Sequence, residues 1–142
     1  MEFNTNRGDA VSNGRSLDGM RILLVEDDSL AAWDMQEFLE ESGAWVIGPA
    51  PTLKRALELV EQEEGHIDAA VLDINLNGQR SYPVADRLQQ SGVNFVFTTA
   101  YHNLPEPYAS LPRCEKPIDK SRLLRLIMSE RRSRSLEPLH PS

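Results

Sequence analysis

The chain has 142 residues, 40% of which are hydrophobic, and a formal net charge of −7. This length fits one domain with a real hydrophobic core, and the acidic balance argues against a general nucleic-acid binder. The single cysteine, Cys114, excludes an internal disulfide and favours a reducing compartment, and no stretch approaches the about 20 apolar residues of a membrane span.

Both ends of the sequence are polar. Residues 1–18 are rich in Asn, Gly and Ser, show little periodicity and are predicted to form a flexible tail. They also lack the apolar core of a signal peptide, so we expect a cytoplasmic protein with no membrane partner. Residues 133–142 are predicted as a C-terminal tail, which leaves residues 19–132 as the folded domain.

The stretch between the tails alternates strand-like runs with helix-like runs. Five apolar runs are predicted as strands, and the first four are continuous, which is typical of strands buried on both faces of a parallel sheet. These strands are "MRILLV" (20–25), "AWVIG" (44–48), "AAVLD" (69–73), "NFVFTT" (94–99) and the weaker "SLPRCE" (110–115).

Four helices are predicted between and after these strands. The first spans residues 29–42, with Asp28 as its N-cap and Gly43 just after its end, and the second follows the capping residue Thr52. The segment "YHNLPEPYASLP" (101–112) holds three prolines, so any helix there should be short or irregular. The other helices are predicted at about 81–91 and 119–132.

This alternation predicts an α/β fold, because right-handed crossovers wind the helices onto both faces of a five-stranded parallel sheet. In such doubly wound folds the functional crevice lies at the carboxyl ends of the strands. Polar side chains fall at four of these strand ends. They are Glu26, Asp27 and Asp28 after the first strand, Asp73 at the third, Thr98 and Thr99 at the fourth, and Lys116 after the fifth.

Adjacent carboxylates at the edge of a core repel one another unless a cation lies among them. Magnesium prefers oxygen ligands and keeps several of its waters. Asp27 and Asp73 can supply carboxylates, Glu26 can hold a metal-bound water, and the backbone carbonyl of Asn75 can supply a further ligand. With the hydroxyl of Thr99 and the ammonium of Lys116, this set indicates a site for a phosphoryl group on an aspartate.

Four motifs in order, "ILLVEDD", "VLDINL", "FVFTTAY" and "EKPID", resemble the receiver domain of two-component response regulators over about residues 20–130. The resemblance implies a flavodoxin-like fold with strand order 2-1-3-4-5. The longer stretch "DINLNGQRSYPVADRLQQSGVNFVFTTAY" is similar to stand-alone receivers associated with HWE-family histidine kinases.

Residue by residue, the resemblance implies a complete phosphorylation site. Asp73 is implied as the phosphoacceptor, Thr99 as the switch hydroxyl, and Lys116 as the lysine that pairs with a phosphoryl oxygen. The implied magnesium ligands are Glu26, Asp27, Asp73 and the backbone carbonyl of Asn75. In many receivers the bond between this lysine and the following proline, here Pro117, is cis.

The implied function is that of a stand-alone response regulator. It would accept a phosphoryl group from a sensor histidine kinase, possibly of the HWE type, and then signal through protein contacts or act as a phosphate sink. It would catalyse only its own phosphorylation and dephosphorylation. Candidate kinase-contacting residues lie beside the acidic pocket; these are Leu30, Ala31, Met35 and Pro117.

Two departures from the family pattern concern signal output. Arg113 occupies the position, three residues before the lysine, where many receivers carry an aromatic switch residue. The proline-rich segment 101–112 falls on the usual dimerisation surface, so we expect a monomer or a weak homodimer.

The sequence also raises three alternative hypotheses about function. A pseudo-receiver would use the same fold as a phosphorylation-independent binding module, but it would have no need of the full residue set. An aspartyl-phosphate hydrolase usually has a second acid two residues after its nucleophile, and here that residue is Asn75. A flavin carrier would need a phosphate loop after the first strand, which the sequence lacks.

Overall fold

The computed structural model describes residues 16–101 and 103–136, of which 130–136 are described by their backbone alone. Seven strands and four helices follow one another along these ranges. The strands are β1 (Arg21–Val25), β2 (Trp45–Ala50), β3 (Ala69–Asp73), β4 (Asn75–Leu76), β5 (Gln79–Arg80), β6 (Asn94–Thr99) and β7 (Arg113–Glu115). The helices are α1 (Ser29–Glu41), α2 (Leu53–Gln62), α3 (Tyr82–Gln90) and α4 (Lys120–Leu136).

Five strands form one parallel sheet in the order β2-β1-β3-β6-β7. Counted within this sheet alone, the order is 2-1-3-4-5, and the prediction of a doubly wound, flavodoxin-like α/β fold is confirmed. Strands β1, β3 and β6 are central, with Leu23 of β1 opposite both Ile47 of β2 and Ala70 of β3. Their apolar runs are buried along almost their whole length.

Each face of the sheet carries its own hydrophobic core. On one face, α2 and α3 pack through Leu59, Val60 and Leu88 against residues such as Phe97. On the other face, α1 and α4 contribute a second set of apolar side chains, which are Met35, Leu39, Leu123 and Ile127. The middle residue of β7, Cys114, is 1% exposed and belongs to this second core. Because helices cover both faces of the sheet, a cleft in this fold opens at the carboxyl ends of the strands.

The helix ends follow the local signals in the sequence. The side chain of Asp28 accepts hydrogen bonds from the amides of Leu30 (2.9 Å) and Ala31 (3.1 Å), so it caps α1 as predicted. Thr52 caps α2 in the same way, accepting from the amide of Arg55 at 3.1 Å. Gly43 ends α1 with a φ of 100°, and a Cβ there would lie 2.7 Å from the Cα of Asp18.

Several predicted boundaries were wrong. The predicted N-terminal tail, 1–18, includes Leu17, which is fully buried and whose amide donates to the Ser42 carbonyl at 2.8 Å. The last strand is shorter than 110–115, because Pro112 cannot donate to a strand ladder. Helix α4 continues to Leu136, into the predicted C-terminal tail. The tail residues 1–15 and 137–142 lie outside the described residues.

Among the described residues between β6 and β7, 101 and 103–112, there is no regular helix, as predicted; residues 106–111 form turns and bends. Tyr108 anchors the segment by stacking on Tyr82 of α3, with ring centroids 4.1 Å apart, and its hydroxyl donates to Asp86 at 2.9 Å. Leu104 adds a buried apolar side chain. No helix in the described ranges has the length and hydropathy that crossing a bilayer requires.

Candidate phosphoryl-transfer site

Three carboxylates predicted from the sequence converge at the carboxyl edge of the sheet. One oxygen from each of Glu26, Asp27 and Asp73 lies within 4.8 Å of the others. They line a cleft of about 280 Å³ that also receives Thr99 and Lys116 from the two neighbouring strand ends. Parallel pairing produces this convergence, because the strands end at the same edge.

Lys116 lies across the carboxylate cluster. Its Nζ is 3.1 Å from Asp73 Oδ2 and 3.8 Å from Glu26 Oε1. Burial lowers the pKa of this ammonium, but the hydrogen bond to Asp73 and the three negative charges outweigh it, so the pKa is raised overall. The backbone amide of Lys116 donates to the Thr99 carbonyl at 2.7 Å, and the bond to Pro117 is cis. Lys116 is therefore a permanent cation beside the candidate phosphoacceptor.

Glu26 is the carboxylate most affected by its surroundings. Only 7% of the residue is exposed, and burial together with the charge of Asp73 raises its pKa to about 7. Its Oε2 accepts a hydrogen bond from the Asp28 amide at 3.1 Å, which partly opposes that shift. A cation in the cleft would favour the ionised form of Glu26 and so oppose this shift.

A short hairpin, β4–β5, covers one side of the cleft. Its turn consists of Asn77 (φ 53°) and Gly78 (φ 92°), which is the conformation that two-residue hairpin turns favour. The amide of Asn77 donates to Asp27 Oδ2 at 2.9 Å. The hairpin therefore holds Asp27 at the rim of the cleft.

Asn75, whose backbone carbonyl is predicted to bind magnesium, begins this hairpin and lines the cleft. Its amide donates to Asp73 Oδ1 at 3.2 Å. Its side-chain oxygen accepts from the Gly78 amide and from Arg80 Nη1, both at 2.9 Å. Its side chain therefore organises the hairpin, and the metal-ligand role of its backbone carbonyl stays a prediction.

Thr99 is 1% exposed at the end of β6. Its hydroxyl accepts a hydrogen bond from the Tyr101 amide at 2.9 Å. It lines the cleft together with Asp73 and Lys116, as predicted. A hydroxyl has one donor and two acceptor positions, so Thr99 can still donate to an oxygen placed on Asp73.

The chemistry of the cleft fits a hard divalent cation. Three carboxylates meet a single ammonium there, so the cleft has an excess of negative charge when all of them are ionised. Oxygen ligands of this type suit Mg²⁺. The side chains that would hold it are Glu26, Asp27 and Asp73.

One residue at the site, Arg80, was missed by the sequence reasoning. Arg80 of β5 donates to Asn75, and its Cζ lies 5.5 Å from the ring centroid of Tyr101. The Asn77–Gly78 pair is a strong hairpin signal that would have placed Arg80 beside the cleft. No signal in the sequence indicates that Arg80 contacts Tyr101, which lies 21 residues further along the chain.

A second groove, of about 700 Å³, runs between α1 and the start of α4 and meets the cleft at Glu26, Asp28 and Lys116. Three of the four candidate kinase-contacting residues line it, namely Ala31, Met35 and Pro117. Met35 is 8% exposed and belongs to the core, so it contributes only to the floor of the groove. Leu30, 79% exposed, lies on α1 outside this lining.

Comparisons with known proteins agree with this geometry. The family model described as "Response regulator receiver domain" matches residues 22–127. SdrG from Sphingomonas melonis Fr1 is 33% identical, covers 78% of this chain and 97% of its own, and superposes with a TM-score of 0.68. A comparison with curated protein sequences finds no match.

More distant solved structures share the fold. The response regulator PhyR from Brucella abortus is 23% identical, with a TM-score of 0.73 over 96% of this chain and 60% of its own. The receiver domain of the hybrid histidine kinase CckA is 22% identical, with a TM-score of 0.66 over 78% of this chain and 97% of its own. This chain thus spans only about 60% of the length of PhyR. The family model and the SdrG match establish that the chain belongs to the response regulator receiver domain family.

Proposed function

We propose that this receiver domain accepts a phosphoryl group on Asp73 and works in a phosphorelay. The observation that carries the proposal is the position of Lys116. Its Nζ lies 3.1 Å from Asp73 Oδ2 in a cleft that holds two further carboxylates and the Thr99 hydroxyl. A binding module would gain nothing from an ammonium and three carboxylates in this arrangement, since each is costly to desolvate.

In the proposed reaction, a carboxylate oxygen of Asp73 attacks the phosphorus of a phosphohistidine. A P–O bond forms, the P–N bond of the donor breaks, and the electron pair returns to the imidazole. Lys116 stabilises the charge on the transferring oxygens, and Thr99 donates its hydroxyl hydrogen to one of them. Bound Mg²⁺ would neutralise further charge on those oxygens. Hydrolysis by water then restores Asp73, so the domain catalyses only its own modification and is not a metabolic enzyme.

The proposed partner is a sensor histidine kinase, and we favour the HWE type because of the stretch that spans residues 73–101. The groove between α1 and α4 is the surface on which we propose that the kinase docks, since it opens directly beside Lys116. The domain would then signal through protein contacts as a stand-alone regulator, monomeric or weakly dimeric, or act as a phosphate sink. We also assign it to the cytoplasm, in keeping with the free thiol of Cys114.

One alternative is a pseudo-receiver that binds its partner without phosphorylation. The observation in its favour is that the output side is unusual. Arg113 stands where the family has an aromatic switch, and it donates to the Ala109 carbonyl at 3.1 Å, within a segment that has no helix among its described residues. A receiver that lacks the usual output route could have lost its dependence on phosphate.

Intact-mass spectrometry after incubation with acetyl phosphate and Mg²⁺ tests the proposal. We expect one phosphoryl adduct on the wild type and none on Asp73→Ala or in EDTA. Asp34→Ala is the matched control, because Asp34 is an exposed carboxylate on α1 outside the cleft. Folding of each variant is checked by circular dichroism. A folded wild type that forms no adduct, and whose spectrum is unchanged by Mg²⁺ and beryllofluoride, would favour the pseudo-receiver.

A further inference from the structure

Five residues form a chain of contacts around the mouth of the cleft. It starts at Asp73, whose Oδ1 accepts from the Asn75 amide at 3.2 Å. Asn75 Oδ1 accepts from Arg80 Nη1 at 2.9 Å, and the Arg80 guanidinium lies over the Tyr101 ring, 5.5 Å from its centroid. The Tyr101 amide donates to Thr99 Oγ1 at 2.9 Å, which brings the chain back to the cleft. We call this the rim circuit.

Arg80 is the link in the rim circuit that joins two separate parts of the chain. Asn75 and Arg80 belong to the β4–β5 hairpin, whereas Thr99 and Tyr101 belong to the end of β6 and the loop that follows it. Tyr101 is 40% exposed, so core packing restrains its ring only weakly. A guanidinium over an aromatic face is an attractive contact, and the hydrogen bond to Asn75 fixes the guanidinium in place.

Phosphorylation would disturb the rim circuit at Thr99. In the proposed reaction the Thr99 hydroxyl donates to a phosphoryl oxygen on Asp73, and movement of Thr99 toward that oxygen would lengthen the hydrogen bond that it accepts from the Tyr101 amide. The loop that carries Tyr101 then has to follow or lose that bond. The contact with Arg80 resists the movement, because it ties the Tyr101 ring to the hairpin.

We propose that Arg80 is a positioning residue that clamps Tyr101 and thereby holds the Thr99 hydroxyl in its resting arrangement. This inference rests on the proposed function, because it concerns how the same cleft changes when it is phosphorylated. It gives the domain a conformational restraint at the rim of the cleft. In this chain Arg113 takes the family's aromatic position, so the restraint does not depend on an aromatic residue in β7.

Thermodynamic linkage predicts whether removing the contact between Arg80 and Tyr101 raises or lowers the affinity for a phosphoryl mimic. A contact made only in the resting arrangement lowers the apparent affinity for a ligand that requires the other arrangement. An exposed cation–π contact corresponds to about a two- to five-fold change in an equilibrium constant. Removing it should therefore tighten the binding of beryllofluoride, a phosphoryl mimic, by about two- to five-fold. If Arg80 instead attracted the anion directly, removing Arg80 would weaken the binding of beryllofluoride.

The experiment is a titration of the full chain with beryllofluoride at saturating Mg²⁺, followed by ¹H–¹⁵N spectra. Arg80→Ala and Tyr101→Ala should each bind more tightly than the wild type. The double variant should bind no more tightly than either, since both substitutions remove one contact. In the wild type, the Tyr101 amide resonance should shift on binding.

Two variants and one distant arginine serve as controls. Arg80→Lys keeps a cation and Tyr101→Phe keeps the ring, so both should stay near the wild type. Arg55→Ala removes a charge whose exposed ion pair with Glu58, 3.2 Å long, lies on α2 outside the cleft. It should leave the affinity unchanged.

Equal or weaker binding by Arg80→Ala, together with unchanged binding by Tyr101→Ala, would overturn the clamp while leaving the proposed function intact. If the wild type takes neither a phosphoryl group nor beryllofluoride, the proposed function fails and the clamp fails with it. The mass-spectrometric adduct on the wild type separates these two results.

Discussion

The acidic cleft and the segment 101–112 both adjoin β6, yet different forces hold them in place. The cleft takes its side chains from strand ends, so backbone pairing in the sheet determines where Asp73 and Thr99 lie. The segment has no helix among its described residues and is held by the Tyr82–Tyr108 stack and by buried Leu104. The residues of the proposed chemistry are thus fixed by the sheet, independently of the side-chain contacts that hold the neighbouring segment.

Removing the ammonium from the cleft should have the largest effect. In Lys116→Ala, the rate of adduct formation with acetyl phosphate should fall by about 100-fold, because a preorganised charge facing the transferring group is lost. Time-resolved intact-mass spectrometry measures this rate. Lys120→Ala is the matched control, since Lys120 pairs with Asp34 at 2.8 Å and lies outside the cleft. Equal rates for both variants would mean that the sheet does not fix the chemistry as we describe.

The second prediction concerns the pH dependence of stability without metal. The pKa of Glu26 is raised to about 7 from 4.5, so the folded protein binds this proton more tightly than the unfolded chain does. Its contribution to stability is fully present below about pH 4.5 and is lost as pH rises through about 7. Glu26→Gln imitates the protonated form, so relative to the wild type it should gain about 1–3 kcal/mol between pH 5 and pH 8.

Urea unfolding in EDTA at several pH values measures this difference. Glu37→Gln on the exposed face of α1 is the control and should show no such trend. A difference between Glu26→Gln and the wild type that stays constant with pH would show that the cleft does not raise this pKa. If the pKa is raised as predicted, adding Mg²⁺ in place of EDTA should stabilise the wild type more than Glu26→Gln, because the ion favours the charged carboxylate.

The smallest effect is expected in the segment 101–112. Tyr108→Ala removes the stack on Tyr82 and the hydrogen bond to Asp86, and should lower the free energy of unfolding by about 1–2 kcal/mol. Because the cleft is built from strand ends, the rate at which Asp73 is phosphorylated should change little. Tyr108→Phe keeps the ring and should recover most of the stability. A large loss of phosphorylation in Tyr108→Ala would break the proposed separation of the two regions.

The sheet and the residues of the cleft could be predicted from the sequence for a single reason. Buried parallel strands have continuous apolar runs, and their ends place Glu26, Asp73 and Lys116 at one edge without further information. Features that depend on contacts distant in sequence were not predicted. Leu17 is buried because the segment before β1 packs beside the end of α1, and nothing in its polar surroundings indicates this.

The rim circuit illustrates the same limit at the candidate site. The Asn77–Gly78 turn could have been recognised locally, but the meeting of Arg80 with Tyr101 depends on how the hairpin lies over the end of β6. Such a contact arises from tertiary geometry, and neither hydrophobic periodicity nor spacing encodes it. The strand-end residues could be predicted because the fold class alone determines their neighbours.

Cys114 makes this chain suitable for site-specific labelling. It is the single thiol in the sequence, it lies inside β7, and burial raises its pKa. The thiolate is the nucleophile that attacks thiol-reactive dyes, so the buried native cysteine is protected both by its low accessibility and by its raised pKa. A cysteine introduced at Ser110, which is exposed, would therefore take a spin label or fluorophore selectively. Such a probe would report directly on how the segment 101–112 responds to events in the cleft.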